Sequence, residues 1–316
     1  MFKVRGIKLL IIFLLSWFFT VNVFPSEVLA SNAETRILQT VITLQNTTVS
    51  SLEQITLKVP LINQNTTYQR VVKEDYNLMP EDTVLGSFEN RKATFTIDNL
   101  GPGEKSEVII SYHLDLNRTI NSSADSVREY LAASEKIESD HPEIISLANK
   151  LTEDKVNDYE KAQAIYEFVR DYIKYNSNSP NRNKGALNAL KTAEGVCENY
   201  AALFVALSRA ADIPARQING FADPNATGEV WDVSIGEIVS LSGYRHSWAE
   251  FYDGNRWVVV DPTFDAHKKT WDFFDIIPAK THIIQNYYDQ PLNVQYQGSK
   301  SALKVFWQNQ LVGGDI

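Results

Sequence analysis

Cys197 is the only cysteine among the 316 residues, and it follows Gly195-Val196 at the start of an apolar stretch. One thiol cannot form an internal disulfide, so three interpretations are open: an inert buried residue, a partner for another molecule, or a nucleophile. Residues 197–211 are good helix formers that are apolar around most of the circumference, which predicts a buried helix. Cys197 then lies in its first turn, where unpaired N–H groups and the helix dipole favour a thiolate and could hold an oxyanion.

A histidine and an aspartate recur further along the chain in a hairpin pattern. Residues 246–252 and 255–261 have strand character, and Asp253-Gly254 between them is a hairpin turn signal. If that turn has two residues, His246 lies opposite Asp261 with Cβ atoms about 5 Å apart. The carboxylate can then fix one imidazole nitrogen and leave the other for a thiol. The alternative is a surface His–Asp pair without chemistry, and a longer loop would change the register.

Four segments together resemble the transglutaminase-like superfamily of papain-type cysteine enzymes. They are Gly195-Val196-Cys197-Glu198-Asn199-Tyr200-Ala201, Gly220-Phe221, His246-Ser247-Trp248-Ala249-Glu250 and Asp261-Pro262-Thr263, within a region of about residues 125–290. The resemblance implies that Cys197 is the nucleophile, His246 the general base and acid, and Asp261 the group that orients His246. Members often supply a second oxyanion donor from an aromatic or amide side chain upstream of the cysteine, and Tyr175 and Asn188 are the candidates here.

No cofactor or metal is predicted. His267 and His282 are isolated in the sequence, and no spacing typical of metal ligands occurs. Residues 222–242, between the Cys helix and the His strand, are interpreted either as a lid or wall of the substrate site or as a surface excursion.

The fold class predicted from these patterns is α+β. Short β-branched strands with turns between them predict a β-sandwich-like domain at residues 31–118. Residues 119–290 are predicted to form a papain-like, transglutaminase-like core, in which the nucleophile helix packs on an antiparallel sheet. Residues 291–316 are left as a C-terminal tail.

The first thirty residues read as a secretory signal. Lys3, Arg5 and Lys8 precede an apolar run at residues 9–24, and Ala30 ends a site for cleavage. The alternative is an uncleaved anchor, but about sixteen apolar residues are short for a span of roughly 20. The prediction is therefore a secreted or cell-surface protein, associated with a membrane only if the signal is retained.

Composition restricts the partners. The formal net charge is −9 and no basic stripe occurs, which argues against nucleic acid. The predicted partner is a protein or peptide substrate, with cell-wall peptides as one candidate. The predicted activity is acyl transfer from amide bonds through a thioester on Cys197, ending in hydrolysis or in crosslinking. The alternative function is an inactive surface-binding or scaffold module, and the oligomeric state stays open.

Overall fold

The computed structural model describes residues 34–86, 90–116, 124–223, 225, 231–267, 273–275, 281–287, 293–296 and 301–314. The predicted signal and its cleavage site lie outside these residues. The strands are β1 (Glu34–Asn46), β2 (Leu52–Leu61), β3 (Gln69–Tyr76), β4 (Asp82–Leu85), β5 (Arg91–Leu100), β6 (Lys105–Leu116), β7 (Lys174–Tyr175), β8 (Glu194–Gly195), β9 (Ala215–Ala222), β10 (Ile238–Ser240), β11 (Arg245–Tyr252), β12 (Trp257–Val260), β13 (His282–Asn286), β14 (Asn293–Gln295) and β15 (Leu303–Val312). The helices are α1 (Pro142–Thr152), α2 (Asp158–Tyr172), α3 (Ala186–Thr192), α4 (Cys197–Ala210) and α5 (Pro262–His267), and a 3₁₀ helix covers Ala124–Leu131.

Two antiparallel sheets, called the β-rich region below, combine the strands between residues 34 and 116 with β10, β14 and β15. Their strand orders are β10-β15-β1-β6-β3 and β14-β2-β5-β4. Alternating residues of β2, such as Ile55, Leu57 and Val59, are fully buried, because successive side chains of a strand point to opposite faces. These side chains and their counterparts on the other sheet form one apolar core.

The prediction of a C-terminal tail at 291–316 is wrong for most of its described residues. Residues 303–312 form β15, which pairs along β1 from Ile37↔Val312 to Asn46↔Leu303. Residues 293–295 form β14 on the edge of the second sheet, against β2. Both strands therefore complete sheets that begin at the other end of the chain.

The helical half is built around α4. Residues 199–209 of this helix are all buried, which confirms the predicted buried helix. Helices α1, α2 and α3 pack on it from one side, and strands β9 and β11 pack on it from the other. Those strands belong to an antiparallel sheet with the order β12-β11-β9-β13, so the predicted α+β class with a nucleophile helix on an antiparallel sheet is confirmed.

The β-rich region packs directly against the β12-β11-β9-β13 sheet. Its apolar core continues into Trp248, Ile283 and Ile284 of β11 and β13. The side chain of Gln69 donates to the carbonyl of Ile284 at 2.7 Å and accepts from its N–H at 2.9 Å. These two bonds occupy the outer edge of β13 as a further strand would, so the β-rich region holds β13 in place. The predicted boundary between residues 118 and 119 lies outside the described residues.

A buried ion pair reinforces the same contact. Arg216 on β9 pairs with Glu250 on β11, and their side chains are 4% and 0% exposed. Glu250 also accepts from the hydroxyl of Thr67, which precedes β3. The guanidinium lies 4.0 Å from the ring of Trp257 and 3.6 Å from that of Tyr287. Because a buried charge is tolerated only when it is paired, this cluster fixes the register of β9 against β11.

No helix within the described residues is long and apolar enough to cross a membrane.

Candidate active site

Cys197 is the first residue of α4, with Val196 as the N-cap, so its predicted position in the first turn is confirmed. Asn199 accepts the N–H of Val196 at 3.0 Å and donates to the carbonyl of Asn181 at 3.0 Å. A Cβ at Gly195 would lie 2.4 Å from the Asn199 side chain, so only glycine leaves room for this cap. The sequence Gly-Val-Cys-Glu-Asn therefore fixes the helix start and leaves the thiol half-buried.

The His246 ring bridges Cys197 and Asp261. Its Nε2 atom lies 2.7 Å from Asp261 Oδ2, Cys197 lines the same cleft as His246, and Cys197 contributes to the raised pKa of the ring. Because Nε2 is engaged with the carboxylate, Nδ1 is the nitrogen left for the sulfur. The three residues that the sequence singled out are thus brought together in one contact chain.

The hairpin that brings His246 and Asp261 together has a different register from the predicted one. Tyr252 pairs with Trp257, not with Asn255. The turn has four residues because the Asp253 carboxylate accepts the N–H groups of Asn255 and Arg256, each at 2.8 Å. The predicted direct opposition of His246 and Asp261 is therefore wrong by two residues. A shift of two keeps every side chain on its face of the sheet, which is why the two still meet.

Asp261 is held from all sides. Its Oδ1 atom accepts the N–H groups of Thr263 and Phe264 at 3.0 and 3.1 Å, which caps the start of α5. Its Oδ2 atom faces Nε2 of His246 and, at 3.1 Å, Nε2 of His282. The side chain is 2% exposed, so these four bonds replace the water that a carboxylate would otherwise need.

Aromatic rings and one glycine set the plane of His246. The ring lies between Phe264, with centroids 4.6 Å apart, and Trp248, at 5.9 Å and nearly parallel. Gly220 on β9 pairs with His246 on β11. A Cβ there would lie 2.1 Å from the carbonyl oxygen of Ile283 and 2.8 Å from the Trp248 ring. The glycine thus permits the close approach of β13 and Trp248 around the histidine.

The charges of this cluster follow from its burial and its partners. Burial alone lowers the pKa of His246, but the charge of Asp261, the bond to it and the contact with Cys197 together raise that pKa to about 10. Burial tends to raise the pKa of Asp261, but the two histidines outweigh it and hold that pKa below its usual range. The arrangement therefore stabilises an imidazolium beside an ionised Asp261 at neutral pH.

His282 is not isolated, contrary to the prediction. It is fully buried, and its Nε2 shares the Asp261 oxygen with His246. Among the described residues, His246, Asp261 and His282 form a cluster in which one ring nitrogen or carboxylate oxygen of each residue lies within 4.8 Å of those of the other two. Hydrogen bonds between the three groups account for this closeness. Sequence spacing could not reveal the cluster, because its members come from three strands or strand ends that are distant in the chain.

The two candidates for a second oxyanion donor separate clearly. Tyr175 lines the cleft with Cys197, since the short parallel pair of β7 and β8 sets Tyr175 beside Gly195. Burial and the nearby Cys197 raise the pKa of its phenol, so it remains a hydrogen-bond donor. Asn188 is not among the residues that line the cleft, and its Oδ1 is buried without a hydrogen bond.

The cleft around the thiol has a volume of about 770 Å³. Its walls include Tyr175, Arg182, Glu198, Arg245 and His246. The interpretation of residues 222–242 as a lid gains no support from its described part. Trp231 is buried in the β-rich core, β10 pairs with β15, and none of the described residues 231–242 lines the cleft.

Residues 145–262 match the model of the transglutaminase-like superfamily. The predicted resemblance is confirmed over this stretch, which contains Cys197, His246 and Asp261. The match supports a cysteine-dependent enzyme family.

Related sequences cover only part of the chain. The uncharacterized protein YebA of Bacillus subtilis is 28% identical over 131 residues, which are 37% of this chain and 17% of YebA. An uncharacterized protein of Haemophilus influenzae is 32% identical over 146 residues, which are 43% of this chain and 39% of that protein. The chain therefore spans less than half the length of these relatives.

Solved structures resemble this chain at low sequence identity. A "putative cysteine protease" from Cytophaga hutchinsonii is 18% identical, with 90% of this chain and 93% of that chain covered at a TM-score of 0.55. The periplasmic domain of TgpA from Pseudomonas aeruginosa is 14% identical, with 76% and 91% covered at a TM-score of 0.40. The first likeness shows that the fold extends over nearly the whole chain.

Proposed function

We propose that this protein is a secreted cysteine-dependent acyl-transfer enzyme that acts on amide bonds of proteins or peptides. The observation that carries the proposal is the contact of 2.7 Å between His246 Nε2 and Asp261 Oδ2, with His246 and Cys197 on the wall of one cleft. Asp261 orients the ring, His246 exchanges the proton, and Cys197 is the nucleophile. A cysteine beside a histidine that a third group orients is the usual arrangement of an activated nucleophile.

The first half-reaction forms a thioester. The Cys197 thiolate attacks the carbonyl carbon of the amide, so a C–S bond forms and the carbonyl electrons move onto oxygen. The His246 imidazolium then protonates the amide nitrogen, the C–N bond breaks, and the amine leaves. The pKa of His246 is raised to about 10, so the ring is protonated at neutral pH and can donate the proton that this step needs.

The oxyanion needs two donors on the cleft side of the thiol. The N–H of Cys197, as the first residue of α4, has no acceptor within the helix. The phenol of Tyr175 is the second donor, because it lines the same cleft and stays protonated. A helix N–H and a neutral hydroxyl both stabilise negative charge that develops in the transition state.

The second half-reaction releases the acyl group. Neutral His246 takes a proton from water or from an amine, which attacks the thioester carbon while the C–S bond breaks. The products are a carboxylic acid with water, or a new amide with an amine, and the thiolate is restored. The cleft of about 770 Å³ matches the size of typical ligand sites, and its polar walls suit a peptide chain.

Mass spectrometry tests the proposal and separates the two outcomes. The protein is incubated with a mixture of Gln and Lys peptides and with cell-wall peptides, in parallel with Cys197→Ser. Loss of ammonia or backbone cleavage identifies hydrolysis, whereas an isopeptide identifies crosslinking. A trapped acyl group on Cys197 in the wild type alone supports the thioester.

The proposed function would be overturned if the protein were an inactive binding module. In that case wild type and Cys197→Ser leave every peptide unchanged, and iodoacetamide labels Cys197 no faster than a free cysteine at about pH 6.

A further inference from the structure

His282 is the buried titratable group that the proposed mechanism leaves without a task. It is 0% exposed and lies at the first position of β13. Burying an imidazole costs free energy unless its nitrogens are satisfied. Both are: Nε2 lies 3.1 Å from Asp261 Oδ2, and Nδ1 lies 2.8 Å from the hydroxyl of Thr281.

The sheet register explains why the two histidines converge on one carboxylate. His246 on β11 pairs with Gly220 of β9, and His282 on β13 pairs with Ala222 of the same strand. Positions 220 and 222 share a face, so both imidazoles project from that face. Only a glycine and an alanine lie between them, which leaves space for the Asp261 carboxylate.

The hydrogen bonds determine the tautomer of His282. Burial lowers its pKa, and nearby His246 opposes its protonation, although Asp261 and Asp223 act in the other direction. A neutral imidazole has one N–H, and the ionised Asp261 can only accept. Nε2 therefore carries the hydrogen and donates to Asp261, while Nδ1 accepts from the Thr281 hydroxyl.

We propose that His282 is a positioning residue, which fixes the Asp261 carboxylate so that Asp261 holds His246 against Cys197. The inference rests on the proposed function, and it extends the contact chain to Thr281-His282-Asp261-His246-Cys197. Without the N–H of His282, Asp261 Oδ2 keeps His246 as its single partner, and only that contact and the two backbone N–H groups on Oδ1 oppose rotation of the carboxylate. The β-rich region takes part in this positioning, because Gln69 holds the neighbouring Ile284 of β13 from outside.

Three variants separate positioning from bulk. His282→Leu removes the donor, whereas His282→Gln places an amide N–H near the position of Nε2. Thr281→Val keeps the histidine but removes the hydroxyl that sets its tautomer. His113→Leu is the matched control, because it removes the partly buried histidine of another His–Asp pair, 3.0 Å long, within the β-rich region.

The first readout is the rate at which iodoacetamide labels Cys197, the only thiol, between about pH 5 and pH 9. We expect His282→Leu to label about tenfold more slowly near pH 6 and with a flatter pH profile, since small misplacements of catalytic groups cost about 10- to 10²-fold. Thr281→Val should show a smaller loss, His282→Gln should recover most of the rate, and His113→Leu should match the wild type.

The second readout follows His246 without any reaction. In ¹⁵N-labelled protein, the His246 ring N–H that bonds to Asp261 should give a downfield proton signal. This signal should broaden or shift in His282→Leu and return in His282→Gln. Wild-type signals and labelling rates in a folded His282→Leu protein would overturn the proposal. So would equal defects in the Leu and Gln variants.

The two readouts also keep this inference distinct from the proposed function. If wild-type Cys197 is unreactive and no peptide is processed, the enzyme proposal fails, while the ring signal still decides whether His282 fixes Asp261. If His282→Leu does not fold, Thr281→Val and His282→Gln carry the comparison.

Discussion

Among the described residues, His113 pairs with Asp75 in the β-rich half, and His246 pairs with Asp261 in the helical half, where His282 contacts the same carboxylate. In the β-rich half, His113 Nε2 lies 3.0 Å from Asp75 Oδ2, and the side chains are 15% and 47% exposed. In the helical half, the His246–Asp261 pair is 2.7 Å long, and the side chains are 8% and 2% exposed. Similar geometry thus occurs in two very different surroundings.

The surroundings determine what each pair can do. The pKa of Asp75 is lowered mainly by its hydrogen bond to Lys73, whose Nζ lies 2.8 Å away, and water screens the pair. Asp261 has no such solvent contact, and two histidines and two backbone N–H groups fix it. Only the second pair has a thiol on the free side of its imidazole. Burial and a neighbouring thiol, rather than the His–Asp pair itself, distinguish the candidate catalytic site.

The largest effect is expected from removing the sulfur. Cys197→Ala should abolish turnover, with a loss of about 10⁴-fold or more. The melting temperature should change little, because the thiol is half-buried and small. Turnover by mass spectrometry and calorimetry check the two parts. A variant that fails to fold would favour the interpretation of Cys197 as a structural residue.

The next effect compares the two aspartates directly. Asp261→Asn should lower kcat by about 10²- to 10⁴-fold, because the amide presents the wrong partner to His246 and changes its tautomer. Asp75→Asn, in the exposed pair, should leave kcat unchanged. Steady-state kinetics of both folded variants provide the measurement. Equal losses in the two would remove the distinction between the pairs.

The sequence predicted the proximity of the candidate site residues better than the pairing of the strands. Cys197, His246 and Asp261 were identified because helix starts and hairpins are local patterns, and an even register error does not change the face of a residue. The turn at Asp253 was misjudged, since a side-chain cap and not the Asp-Gly signal sets its length.

Long-range partners were harder to predict. His282 was missed because its contacts depend on how β13 aligns with β9, which no local pattern encodes. β15 was also missed, although alternate residues Leu303, Val305 and Trp307 give a period-two signal within Leu303–Val312. That signal indicates a strand, but it does not reveal that the partner is β1, more than 250 residues earlier.

A moderate effect is expected at the cleft wall. Tyr175→Phe removes one proposed oxyanion donor but keeps the ring, so kcat should fall by about 10²-fold with little change in KM. Asn188→Ala, at the candidate position outside the cleft, is the matched control and should leave kcat unaltered. A rise in KM with kcat unchanged would indicate that Tyr175 binds substrate and does not stabilise the oxyanion.

The last effect concerns stability and not activity, and here the two histidines on Asp261 should act with opposite signs. The pKa of His246 is about 10 in the folded protein, above the unfolded value of about 6.5. Its contribution to the free energy of unfolding is complete below about pH 6.5 and is lost as the pH rises toward 10. The pKa of His282 is lowered, so its contribution is present above about pH 6.5 and is lost as the pH falls, when the unfolded chain takes up the proton first.

Urea unfolding across this pH range separates the two contributions. His246→Gln should flatten the decline of the unfolding free energy on the alkaline side, and His282→Gln should flatten the decline on the acidic side. His113→Gln, in the exposed pair, should retain both declines. In His113→Gln both histidines still contact Asp261 and hold its pKa low, so a further loss is expected there only below about pH 4, where the unfolded carboxylate is protonated. If His246→Gln and His282→Gln altered the same limb, the two histidines could not differ in protonation, and the assignment of an imidazolium at His246 and a neutral donor at His282 would be wrong.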